Sequence, residues 1–205
     1  MVEKQSGART DPKALRALAH PLRWKLIDII GREETATATR CAELTGESVA
    51  NCSYHLNTLA KYGYIEAVEG GAGRERPWRM TSYDQTLSGD SHGLAGQLAA
   101  EAATDVFLDH ELERAKEWTR RRSREPEQWR QGATIKGTTF AATAEEFAEL
   151  TRELSEVADR FRSRVTDRGS IPDGAREVRV FIAATVTPEQ PPKQPPERKQ
   201  QEASP

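Results

Sequence analysis

Cysteine is scarce in this 205-residue chain: only Cys41 and Cys52 occur. Both fall in stretches that read as helical and apolar-facing, so a disulfide framework is excluded. Long hydrophobic runs are missing too, and no stretch approaches the length of a membrane span. The first ten residues, MVEKQSGART, hold no apolar run of the secretory kind, so a cytoplasmic location is expected. An excess of basic charge is also lacking, since the formal net charge is −2. Residues 1–85 carry 12 Lys and Arg against 11 Asp and Glu, and residues 86–205 carry 18 against 21. Any case for nucleic acid must therefore rest on where charge is placed, not on its total. There is no nucleophile elbow, phosphate loop, paired metal-ligand motif or dinucleotide fingerprint. The glycines of GGAG at 70–73 lie outside any strand-turn-helix setting. Neither an enzyme nor a cofactor is expected, and no internal repeat occurs.

What is present suffices for a packed core: 36% of residues are hydrophobic, while 30% are charged and belong on solvated faces or in tails. Asp11 followed by Pro12 is a helix start. Leu15, Leu18, Leu22, Leu26, Ile29 and Ile30 then recur at helical spacing. Pro21 should kink or break that segment near His20, and Gly31 should end it. TATA at 35–38 reads as a short extended piece. A short helix from Thr39 through Leu44 is stopped by Gly46, and a further helix, capped by Ser48, runs to about Tyr62 and stops at Gly63. TGES between them is a turn of the length a helix-turn-helix requires. Residues 64–81 read as a β-hairpin with a glycine-rich, arginine-bearing tip. A loop at 83–92 leads to one long helix from Leu94 to about Arg124, terminated at Pro126. Residues 134–143 and 176–187 read as strands flanking an amphipathic helix with Phe147, Leu150, Leu154, Val157 and Phe161 on one face. The expected fold is α+β and mainly helical: a disordered start (1–10), a winged helix-turn-helix (11–85), a long dimerisation helix with a β-α-β unit (86–187), and a disordered Pro-, Gln-, Glu- and Lys-rich tail (188–205).

Three stretches carry a resemblance: LRALAHPLRWKLIDII, CAELTGESVANCSYHLNTLAKYGYIE and GRERPWRMT. Together, over about residues 12–82, they resemble the arsenical-repressor (ArsR) family of bacterial winged helix-turn-helix transcription regulators. The most specific pieces are AHPLR and the stretch from Ser48 to Ile65. The resemblance implies a DNA-binding repressor acting as a homodimer. It does not name an effector.

Residue by residue, a helix begun at Ser48 puts Val49, Cys52, Leu56 and Leu59 on the core face. Ala50, Asn51, Tyr54, Asn57 and Thr58 turn away, with Ser53 and His55 at the flanks. A small polar face at the start of such a helix suits base edges in the major groove and phosphates. The expected double-stranded-DNA contacts are Ser48, Ala50, Asn51, Ser53, Tyr54, His55 and Asn57, with Arg74 and Arg76 at the wing. The plainer alternative is a polar face turned to water. Trp78 reads as core beneath the wing.

Metal sensing is well known in the family, but this chain departs from its pattern. The helix before the turn has no paired cysteines. Cys41 and Cys52 read as small hydrophobes, and the four histidines are scattered, so no metal site is assigned. The exception would be His92 and His110 joined with Asp105 or Asp109 across a dimer, the alternative being surface or interface histidines. Leu94, Leu98, Ala102, Val106 and Leu112 form an apolar stripe on the long helix, expected to face a second copy together with Leu15 of the first helix. A ligand-sensing regulator with a small-molecule effector site in the C-terminal part is an alternative, and no convergent polar cluster names its ligand. The alternative function is a winged-helix module kept for protein contacts.

Overall fold

Pro21 breaks the first helical segment into two. It lacks the N–H that would bond the carbonyl of Ala17, and its ring crowds that carbonyl. In the computed structural model, which describes residues 11–68, 76–82, 87, 92–161 and 163–188, α1 spans Pro12–Leu18 and α2 spans Pro21–Glu33. Asp11 caps α1 by accepting from the Lys13 backbone N–H at 3.1 Å. His20 caps α2: its Nδ1 accepts from the Leu22 N–H at 3.2 Å. The carbonyls freed by the break are taken by side chains. Arg23 Nη1 donates to Ala17 O at 2.6 Å, and Trp24 Nε1 donates to Leu18 O at 2.9 Å. These two carbonyls thus keep partners across the break.

Gly31 does not end α2, contrary to the sequence expectation. The helix continues to Glu33, and the left-handed residue is Glu34, at φ 65°. Burial of Leu26, Ile27, Ile29 and Ile30 outweighs the cost of about 1 kcal/mol for a helical glycine. Next, α3 (Ala38–Thr45) is capped by Thr37, whose hydroxyl accepts from the Arg40 N–H. It ends at Gly46, at φ 75°, where the Gly46 N–H bonds Ala42 O. After Glu47, Ser48 caps α4 (Val49–Lys61), its Oγ accepting from the Asn51 N–H at 3.1 Å. Gly63 leaves α4 at φ 74°.

The chain then forms β1 (Ile65–Ala67) and β2 (Trp78–Met80), an antiparallel pair in the register Ile65 to Met80, Glu66 to Arg79 and Ala67 to Trp78. Ala36 adds a bridge on the far side of Trp78, with reciprocal bonds of 3.0 and 2.9 Å. Trp78 is buried between them. The core is made by Leu15, Leu18, Leu26, Ile30, Cys41, Cys52, Leu56, Leu59, Tyr64 and Ile65, all essentially inaccessible. Tyr64 keeps its hydroxyl satisfied there by donating to Ala14 O at 2.9 Å.

The long helix, α5 (Gly93–Arg121), continues into a 3-10 turn at Arg122–Arg124. It lies against α1 and α2 through its small residues: Gly96, Ala99 and Ala103 are buried. A short α6 (Glu127–Gly132) follows Pro126. The chain divides into two compact units. One comprises the residues up to Phe140 with Ser163–Val178, and the other Ala141–Arg162 with the residues from Arg179. In the second unit, α7 (Ala144–Asp159) opens with a capping box. The Thr143 N–H bonds Glu146 Oε2 at 2.8 Å, and the Glu146 N–H bonds Thr143 Oγ1 at 3.2 Å. Short turns follow at α8 (Ser163–Thr166) and Arg168–Ser170.

The fold is mainly helical, with one two-stranded antiparallel sheet among the described residues. The expected β-α-β unit does not form. Residues 134–143 and 176–187 form no strand, and apolar side chains there stand exposed, Ile135 at 74% and Val186 at 80%. A β-rich composition makes a strand only where a neighbouring strand accepts its hydrogen bonds. Residues 1–10, the hairpin tip with Arg74, most of the loop at 83–92 and nearly all of the tail lie outside the described residues. No helix among the described residues is long and apolar enough to cross a membrane.

Candidate nucleic-acid interface

Helix α4 meets the core through Cys52, Leu56 and Leu59, which are fully buried. Its outer face follows from the 3.6-residue period. Ser48, Ala50, Tyr54 and Asn57 are exposed, and Asn51 and Ser53 are half-buried. Val49 departs from the expected core position and is 47% exposed, in the first turn of α4. Tyr54 is 64% exposed, the largest apolar surface on this face.

The polar side chains here are ordered by their own helix. Asn57 Nδ2 donates to Ser53 O at 2.8 Å, and Thr58 Oγ1 donates to Tyr54 O at 2.9 Å. Asn51 Nδ2 donates to Glu47 Oε2 at 2.9 Å. Glu47 was not among the residues the sequence singled out. Its position one residue before the Ser48 cap, four residues before Asn51, was the available signal.

His55 is a correction. It is 5% exposed and faces inward. Its Nδ1 accepts from Arg23 Nε at 3.1 Å, and its ring lies 4.3 Å from that of His20. Burial lowers the His55 pKa, and the charges of His20 and Arg23 lower it further. Burial and Arg23 likewise lower that of His20, and burial lowers that of Arg23. Both imidazoles use Nδ1 as an acceptor, which requires the neutral ring. His55 therefore holds α4 on α2 and cannot present its ring on the outer face.

On the hairpin, Arg76 is exposed and its guanidinium sits 4.9 Å over the Trp78 ring. Arg79 pairs across the sheet with Glu66 at 2.7 Å. Arg74 lies outside the described residues.

The cysteines are free and buried. Burial, first, and the neighbouring Cys52 push the Cys41 thiol up to about 12. Thr45 Oγ1 lies 3.7 Å from Cys52 Sγ. No cluster of three or more His, Cys, Asp or Glu that could hold a metal occurs among the described residues.

His110 is engaged within the chain by Asp28 of α2. His110 Nε2 lies 2.6 Å from Asp28 Oδ2, and Arg114 donates to the same oxygen. Burial opposes ionisation of Asp28, but the His110 hydrogen bond and the Arg114 charge outweigh it and hold the carboxyl below its ordinary range. Trp24 packs beside this group, 4.8 Å from Phe107 and 6.4 Å from His110 between ring centroids. Three of the residues expected at a dimer interface stand outward on α5: Leu94 is 71%, Leu98 53% and Leu112 50% exposed. Ala102 is exposed as well, whereas Val106 is half-buried against the core. Leu15 is wholly buried within the chain, so α1 spends it on its own core.

No family model matches the chain. It is similar to a probable mercury resistance operon repressor of Streptomyces lividans, with 40% identity over 62 residues, covering 30% of this chain and 49% of that protein. The match thus spans about half the length of this relative.

Proposed function

We propose that the chain is a sequence-specific DNA-binding transcription regulator of the ArsR-like winged helix-turn-helix kind, acting as a homodimer on a palindromic operator, and a repressor. The observation that carries this reading is the α3–turn–α4 arrangement. It buries Cys52, Leu56 and Leu59 and turns Ser48, Ala50, Asn51, Ser53, Tyr54 and Asn57 outward, the disposition a helix needs to enter a major groove. The similarity to a probable repressor supports it. Arg76, exposed on the hairpin, and Arg74 supply backbone or minor-groove contacts. Helix α5 pairs with its mate through Leu94, Leu98, Ala102 and Leu112. The mercury in the relative's name belongs to that protein. Here burial raises the Cys41 thiol above its ordinary range, and both cysteines lie in the core, where they act as small hydrophobes.

A mobility shift on DNA flanking the gene, at several salt concentrations, tests the reading. Specific retardation that falls steeply with salt, and that Asn51→Ala weakens selectively, is the expected result. A folded dimer that retards no fragment, or whose affinity ignores salt, would favour a module kept for protein contacts.

A further inference from the structure

Glu47 sits on the turn into α4, one residue before the Ser48 cap. Its carboxylate accepts from Asn51 Nδ2 at 2.9 Å, and the Asn51 backbone is itself fixed by Ser48 Oγ. Asn51 is therefore held at both ends. Glu47 takes one of the two Nδ2 hydrogens, so Asn51 keeps one N–H donor and its Oδ1 acceptor, while Glu47 places an acceptor-only carboxylate beside them. No cation among the described residues lies within salt-bridge distance of Glu47. A carboxylate is repelled by phosphate and by the O6, N7 and O4 acceptors of guanine and thymine. It is favoured only where it meets a donor, and in the major groove those donors are the cytosine N4 and adenine N6 amino groups.

Resting on the DNA-binding reading above, we infer that Glu47 is a specificity-determining residue, whose carboxylate, set beside Asn51, selects adenine or cytosine over thymine or guanine on one strand at one position of each half-site. The same carboxylate weakens binding to unrelated DNA, because it meets a base acceptor or a phosphate wherever the amino group lies on the other strand. It thus acts by rejecting wrong sites as well as by holding the right one.

Selection from a randomised duplex library with the full chain tests this, comparing wild type with Glu47→Gln and Glu47→Ala. Thermal melts of each variant check that the fold is kept. Wild type should enrich sites in which one position per half-site is restricted to cytosine or adenine on one strand, with a penalty of about tenfold to a hundredfold for other bases. Both variants should relax that position and bind unrelated duplex several-fold more tightly, leaving the rest of the site unchanged. A wild-type-like site preference in both folded variants overturns the inference and leaves the DNA-binding reading standing. Failure of wild type to enrich any site at low salt overturns both.

Discussion

Replacing Asp28 with alanine removes the acceptor shared by His110 and Arg114, the group that ties α2 to α5. The Asp28 side chain is 19% exposed, His110 15% and Arg114 27%. Truncating one member of a fully buried ion pair costs about 3–5 kcal/mol. Here the guanidinium and imidazole can partly regain water, so the expected loss is nearer 2 kcal/mol, within the range of about 1.5–3 kcal/mol for hydrogen bonds to charged groups. For a chain of this size that corresponds to a fall in Tm of roughly 4–8 °C. Urea unfolding and thermal melts would measure it, and a cycle with Arg114→Ala isolates the pair. The pH dependence has a fixed sign. The folded pKa of Asp28 is depressed, so its contribution is fully present above the unfolded value of about 3.9 and is lost as pH falls through the folded one. The deficit of Asp28→Ala should therefore shrink below about pH 4. A loss under about 0.5 kcal/mol, the scatter of ordinary surface substitutions, would refute the claim that this group holds α5 in place.

His20 and His55 should titrate below the ordinary histidine value in NMR, since burial and Arg23 lower both. Their contribution to stability is present above about pH 6.5 and lost as pH falls, and midpoints at or above 6.5 would contradict the hydrogen bonds assigned to their Nδ1 atoms. Cys41 and Cys52, both buried, should resist a thiol reagent in the native protein and react together on denaturation; prompt modification of the folded chain would show that the core opens there. Leu98→Glu places a charge on an exposed leucine of α5. Sedimentation should report monomers, with the melting temperature of the protomer fold little changed; an unaltered oligomer would move the dimer contact off this stripe.

The helix limits near the turn were readable because their chemistry is local. Asp11 with Pro12, Ser48 with the Asn51 N–H, and left-handed Gly46 and Gly63 each act within four residues. The α3 cap fell at Thr37, two residues before the expected start. What escaped the sequence depends on distant partners. Asp28 and His110 are 82 positions apart, and the inward turn of His55 is decided by Arg23, 32 positions away. The stripe on α5 shows a subtler limit. Periodicity correctly placed Leu94, Leu98 and Ala102 on one face but could not say which face the chain would bury. Close approach to α1 selects Gly96, Ala99 and Ala103, and the leucines are left outside. Residues 134–143 and 176–187 have strand composition without a partner strand, and composition alone does not supply one.

Helix α2 carries both long-range groups, Arg23 toward His55 of α4 and Asp28 toward His110 and Arg114 of α5. They are five residues apart, about 7.5 Å along the axis, on a helix locked by Leu26, Ile29 and Ile30 in the core. A displacement of α2 at one group must then be felt at the other, because a packed helix moves as a body rather than bending over one turn. Proximity in space does not establish such coupling, whereas a perturbation at one end read at the other does. In Asp28→Ala, the His55 imidazole should shift its NMR titration midpoint although it contacts no mutated atom. Arg114→Ala should shift it in the same direction, since it removes one of the two donors that hold Asp28. If the midpoint of His55 is unchanged in both variants while stability falls, α2 absorbs the perturbation locally, and the two ends of the helix are independent devices.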